Sequence, residues 1–165
     1  MGKGRMHSTR NDLPEKVREK AIELLNQNLA DVLDLHNQAK QAHWNVKGPS
    51  FIALHEFFDK IVDELEEYAD EIAERAVELG GTAFGTVRAA AECSRLSEYP
   101  SDIYSGRDHV SALSSALAKF GRSARAAIDT AADFGDADTA DIFTEVSRGI
   151  DKLLWMVEAH AQAKD

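Results

Sequence analysis

The chain has 165 residues, a formal net charge of −10, three prolines and one cysteine. That length suits one domain with a core of useful size, and the single cysteine, Cys93, excludes an internal disulfide and fits a reducing, cytoplasmic setting. No run of about 18 apolar residues is present, so no membrane span is expected; the first residues lack the apolar run of a secretion signal, and an acidic body favours cations over nucleic acid.

The first helix is expected to start near Asp12, with Asp12 as cap, Glu15 closing a capping box and Pro14 in the first turn. Val17, Ala21, Leu24, Leu25, Leu29, Val32, Leu33, Leu35 and Ala39 then recur at helical spacing to about Trp44, before Gly48-Pro49 breaks the chain. A second helix opens at Ser50, carries Leu54, Phe58, Ile61, Leu65, Ile72 and Ala76 on one stripe, and stops at Gly80-Gly81. A short helix is expected over residues 86–93. Ser105 and Gly135 frame a third long helix with Val110, Leu113, Leu117, Phe120, Ala124 and Ile128. The fourth begins between Asp136 and Thr139 and carries Ile142, Phe143, Val146, Ile150, Leu153, Leu154 and Val157. Four amphipathic helices of matched length, two short hairpin links and a long link over about residues 80–105 predict an all-α, ferritin-like four-helix bundle whose second-to-third crossover carries the short helix. Residues 1–11 read as a flexible basic tail and 12–165 as the bundle domain.

The second helix holds the chemistry. His55 and Asp59 are one turn apart, as are Asp70 and Glu74, and all four fall within an arc of roughly 100° beside the apolar stripe. Lys60, Glu64, Glu71, Arg75 and Glu78 lie opposite and read as a solvated face. Asp59 and Asp70 are eleven residues apart, about 16 Å of helical rise, whereas metal–ligand bonds are about 2 Å long. One ion therefore cannot touch both pairs on one straight helix. An antiparallel second copy, crossing near Glu64 and Leu65, would set His55 and Asp59 of one chain opposite Asp70 and Glu74 of the other, twice over by symmetry. His43, at the end of the first helix, completes a cluster of imidazoles and carboxylates suited to iron. The alternative is a set of ordinary surface charges. None of the six histidines follows a glutamate by three residues, so the Glu-x-x-His site of bundles that hold two irons in their own core is not supported.

At these residues the sequence resembles the Dps family, the mini-ferritins named as DNA-binding proteins from starved cells. The likeness is carried by residues 41–56 (Gln41 through His43, Trp44, Gly48-Pro49 and His55 to Glu56), by residues 70–81 from Asp70 to Gly81, and by Thr139-Ala140-Asp141-Ile142-Phe143 with Ser147-Arg148 and Trp155 beyond. It spans roughly residues 15–162. It implies a dodecameric shell whose ferroxidase centres combine His43, His55 and Asp59 of one subunit with Asp70 and Glu74 of its neighbour. These centres oxidise Fe(II), with hydrogen peroxide in preference to oxygen, and the shell stores ferric oxyhydroxide, which shields DNA from oxidative damage.

Trp44, next to a ligand, reads either as a trap for stray oxidising equivalents or as a packing aromatic at a helix end. Asp136, Asp138 and Asp141 read either as N-terminal helix caps or, as the resemblance suggests, as the lining of an acidic three-fold pore through which iron enters. Several members of that family bind DNA through a Lys-rich tail; here the tail offers Lys3, Arg5 and Arg10, and the last five residues add no basic extension. Twelve such tails act together by avidity, in opposition to the negative body. Three classes of function follow: a ferroxidase and iron store, a nucleoid protein that compacts DNA with weak iron chemistry, and a purely structural bundle.

Overall fold

The computed structural model describes residues 4–163. Five helices follow in order: α1 (Glu15–Asn45), α2 (Phe51–Glu78), α3 (Val87–Cys93), α4 (Gly106–Phe134) and α5 (Ala137–Ala159). α1 packs chiefly on α2 and α4 on α5, while α1 also meets α4 and α3. The interior is a continuous apolar seam through Leu25, Leu35, Phe58, Ile61, Leu65, Ile72, Leu113, Leu117, Phe120, Phe143 and Ile150, all fully buried. These are the residues that the 3.6-residue periodicity puts on one stripe of each helix.

Local chemistry explains most of the helix ends. Ser105 Oγ accepts from the Asp108 amide at 3.1 Å and Asp136 Oδ1 from the Thr139 amide at 3.1 Å, so α4 and α5 start on side-chain caps. α4 ends on Gly135 in the left-handed region, φ 89°. The first helix departs from expectation. α1 starts at Glu15 with Pro14 before it and no side-chain cap; Asp12 and Glu15 form no capping box. Asn11 takes the turn instead, its Oδ1 accepting from the Leu13 amide at 3.0 Å, because an Asx turn satisfies the amide ahead of a proline that has none to offer. Ser50 precedes α2 but makes no side-chain cap bond; the Phe51 amide donates to the Gly48 carbonyl, at 3.0 Å.

The link from α2 to α4 runs the length of α1. The Thr82 carbonyl accepts from Asn26, the Cys93 carbonyl from Gln27, Asp31 holds Arg95, Asp34 accepts from Ser94, the Ser97 carbonyl accepts from Gln38, and Lys47 N–H donates to the Tyr104 carbonyl. From Asn26 to Asn45 α1 rises about 28 Å. The link therefore returns the chain to the α1–α2 corner, and α4 starts beside the segment that carries His43. None of the helices among the described residues is long and apolar enough to cross a membrane.

Residues 4–11 are not a tail free of the body. The His7 amide donates to the Gly80 carbonyl at 2.7 Å, and Gly4 lies against Phe84 and Thr82. The chain is held there because α2 ends with carbonyls that lack helical partners. Lys3 lies outside the described residues.

Candidate metal centre

The α1–α2 corner brings two histidines face to face. Gly48 takes φ 117°, a conformation that side chains with a Cβ rarely adopt, and the chain reverses within five residues. His43, in the last turn of α1, then lies over His55, in the second turn of α2: the ring centroids are 3.8 Å apart with an interplanar angle of 21°. Each ring is pinned by the other residue's backbone. His43 Nδ1 is 2.8 Å from the His55 carbonyl, and His55 Nδ1 is 2.9 Å from the His43 carbonyl. A carbonyl only accepts, so both Nδ1 atoms carry the hydrogen and both Nε2 atoms keep a free lone pair. Imidazoles that bind metals are oriented by this kind of backbone bond.

Asp59 joins them, with Oδ1 at 3.7 Å from His43 Nδ1. A residue that spacing did not suggest is also present. Lys40 Nζ donates to Asp59 Oδ1 at 2.5 Å, and that hydrogen bond, with the neighbouring His43, the Lys40 ammonium and His55, holds the Asp59 carboxyl below its ordinary range against the opposing effect of burial. A cation already sits on the carboxylate, so its surroundings favour positive charge. Two Nε2 lone pairs and one ionised carboxylate are a donor set that fits iron.

Asp70 and Glu74 are exposed and stand further along α2. Asp70 lines an open depression of about 480 Å³ floored by Leu29, Leu33, Ala69, Ala73 and Ala83. Among the described residues no three His, Cys, Asp or Glu side chains of a single chain are grouped so as to hold an ion. His43, His55 and Asp59 are neighbours but do not by themselves close around an ion, and Asp70 and Glu74 stand apart from them. Trp44 is 66% exposed, and so is not packed in the core of its own chain; Ile52 is 60% exposed.

The other expected site residues divide. Asp136 is buried, caps α5 and receives Arg75 Nη2 at 2.9 Å, so its carboxylate is committed to the helix start and not free to line a pore in this chain. Asp138 is 81% exposed with Arg75 3.7 Å away, and Asp141 is exposed beside a hollow formed with Ala132, Gly135, Ala137, Ala140 and Thr144. Arg75, expected on the solvated face, is buried: its guanidinium also reaches Thr139 Oγ1 at 3.2 Å and Glu78 at 3.1 Å. Arg5 and Arg10 are exposed.

A four-helix bundle with one long crossover between its two hairpins defines a ferritin-like protein, and residues 22–164 match the family model described as a ferritin-like domain. The chain is 48% identical over 158 residues to the DNA protection during starvation protein of Agrobacterium fabrum, a match covering 96% of this chain and 98% of that one. DpsC from Streptomyces coelicolor superimposes with a TM-score of 0.94 at 29% identity, covering 100% of this chain and 96% of that one. Dps from Microbacterium arborescens, solved in a high iron form, gives 0.84 at 34% identity over 92% and 98% of the two chains. The chain belongs to the Dps family of ferritin-like proteins.

Proposed function

We propose that this chain is a ferroxidase and iron-storing subunit of a dodecameric shell, working in the cytoplasm to keep ferrous iron and peroxide from damaging DNA. The observation that carries the reading is the reciprocal pinning of His43 and His55, which leaves both Nε2 atoms without a hydrogen-bond partner, with Asp59 Oδ1 3.7 Å from His43 Nδ1. Asp70 and Glu74, exposed on the same helix about 16 Å away, supply the other half when a second copy packs across a two-fold axis. The depression beside Asp70 and the exposed Trp44 and Ile52 beside His43 and His55 give that copy apolar surface to cover.

Ferrous iron is the substrate. The imidazoles orient it, the three carboxylates lower its charge and favour the ferric product, and two irons in one pocket hand two electrons to one peroxide, so that no free radical is released. Asp141, with Asp138 beside it, lines the path of iron into the shell; Trp44 is placed to intercept a stray oxidising equivalent. The test is ferric absorbance after Fe(II) and peroxide are added to the assembled shell. His55→Ala and Asp70→Ala should each abolish the rapid phase. Shells co-assembled from equal parts of the two variants should regain about a quarter of the sites, because half of random pairs are mixed and each mixed pair has one intact pocket. No recovery would rule out a shared pocket.

A second role is supported by the exposed Arg5 and Arg10 on a segment held against the end of α2: repeated on every subunit, and with the charge of Lys3 added, they offer positive charge to phosphates.

A further inference from the structure

A second constellation lies just behind the histidine pocket and is not used by it. Tyr99, in the crossover, has its hydroxyl 2.7 Å from His109 Nδ1, in the first turn of α4. The rings lie nearly parallel, 14° apart, with centroids at 6.0 Å, and His109 is 1% exposed. His109 Nε2 makes no hydrogen bond, and Nδ1 is the ring nitrogen that meets the Tyr99 hydroxyl. A phenol hydroxyl is a good donor and a neutral imidazole nitrogen a good acceptor. Tyr99 therefore donates, Nδ1 accepts, and the hydrogen of the neutral ring is on Nε2.

Burial pushes the Tyr99 phenol up and pulls His109 down, the latter against the Asn45 backbone and Asp108. The pair rests as neutral phenol and neutral imidazole, a proton donor already bonded to an empty base. Tyr68 instead donates to the Glu64 carboxylate at 3.2 Å, a far weaker base, and Tyr104 is exposed. Two routes join the pair to the pocket: the Phe58 ring, with its centroid 6.5 Å from that of His109 and next in sequence to Asp59, and Asn45, two residues past His43.

We propose that Tyr99 and His109 form a proton-coupled one-electron redox site that quenches the hydroxyl radical formed when a lone ferrous ion meets peroxide. Tyr99 loses one electron, which reduces the hydroxyl radical to hydroxide; in the same event the phenolic proton crosses to His109 Nδ1, leaving a neutral tyrosyl radical and an imidazolium. A phenol gives up its electron readily only if its proton has somewhere to go, and a positioned base supplies that. A second ferrous ion then returns the electron and becomes ferric, and the proton moves back to the phenolate oxygen. The net change is one hydroxyl radical and one ferrous ion converted to hydroxide and ferric ion. The source of the oxidant rests on the ferroxidase reading; the chemistry of the pair does not.

The test is electron paramagnetic resonance on rapidly frozen, assembled protein, oxidised in one arm by Fe(II) with peroxide and in another, free of iron, by a photochemically generated one-electron oxidant. Both arms should give a tyrosyl signal that is lost in Tyr99→Phe and kept in Tyr68→Phe and Tyr104→Phe. His109→Gln, which keeps an acceptor but no base, should lose most of the signal while its thermal melt stays near that of the parent. A signal that persists in Tyr99→Phe, or its absence from the parent protein in the iron-free arm, would overturn the proposal. A Tyr99 signal in the iron-free arm, with no ferric absorbance in the other, would uphold the pair and sink the ferroxidase reading instead.

Discussion

Lys40 shows how a single side chain conditions the pocket. Its ammonium occupies Asp59 Oδ1 at 2.5 Å, so on the proposed ferroxidase reading an arriving ferrous ion must displace it or share the carboxylate with it. Both groups are partly exposed, so solvent screens the pair and it is weak. Lys40→Met should therefore tighten anaerobic Fe(II) binding by no more than a few-fold, read by titration calorimetry; unchanged affinity would show that Lys40 does not compete. Tyr68 offers a second handle at this scale. Burial, then the Glu64 charge and hydrogen bond, with Glu145 and Glu71 behind them, push its phenol up to about 12. A raised folded-state value stabilises the fold fully below the ordinary tyrosine value of about 10, and this contribution is lost as pH rises from there through about 12. Alkaline ultraviolet titration should show two late-ionising tyrosines, Tyr68 and the buried Tyr99, of which one is lost in Tyr68→Phe, and the melting temperature should fall over the same window. The Lys40 contact was not legible in the sequence: Lys40 and Asp59 are 19 residues apart, and no spacing rule pairs them.

Between elements, Arg75 joins the end of α2 to the start of α5. Residue-by-residue rotation put it on the charged side of α2, and that rotation is correct, but the start of α5 folds over this part of the surface. The guanidinium is covered and meets Asp136, Thr139 and Glu78. Removing one partner of a buried pair strands the other charge, at about 3–5 kcal/mol. Arg75→Ala should lower stability by about 3 kcal/mol in urea unfolding, and Arg75→Met with Asp136→Asn, which removes both charges, should recover a good part of that. Gly149 is a second junction: a Cβ there would stand 1.8 Å from the Tyr68 hydroxyl, so Gly149→Ala should cost about 1–3 kcal/mol by overpacking. The helices themselves were legible, because Gly48-Pro49, Gly80-Gly81, Ser105 and Gly135 act on the backbone next to them. The start of α1 was not, because Asn11 and Asp12 compete for one turn and an Asx bond at Asn11 prevails.

At the scale of the whole molecule, assembly and surface charge decide function. In the proposed shell, twelve copies, each with a formal charge of −10, would draw cations in and hold DNA off except near the exposed Arg5 and Arg10. If those residues engage phosphates, a gel shift at low salt should disappear on deletion of residues 1–11 and weaken steeply as salt rises; a shift of equal strength without them would place DNA binding elsewhere. Asp141→Asn should slow iron uptake by the assembled shell in stopped-flow absorbance, and uptake at the parent rate would remove Asp141 from the path of the ion. The inability of one chain to enclose an ion was legible from the 11-residue gap between Asp59 and Asp70, because helical rise is a fixed geometric constant.

The sequence alone determined where helices run, which stripe of each is apolar, and that the histidine and carboxylate pairs sit too far apart on α2 to serve one ion. These follow from forces that act within a turn or two of the backbone. Only the tertiary structure decided that Lys40 sits on Asp59, that Arg75 is buried on Asp136, and that Tyr99 gives its hydroxyl to His109, because such pairings depend on how separate segments are set against one another. The periodicity of a single helix carries no information about that distance or rotation.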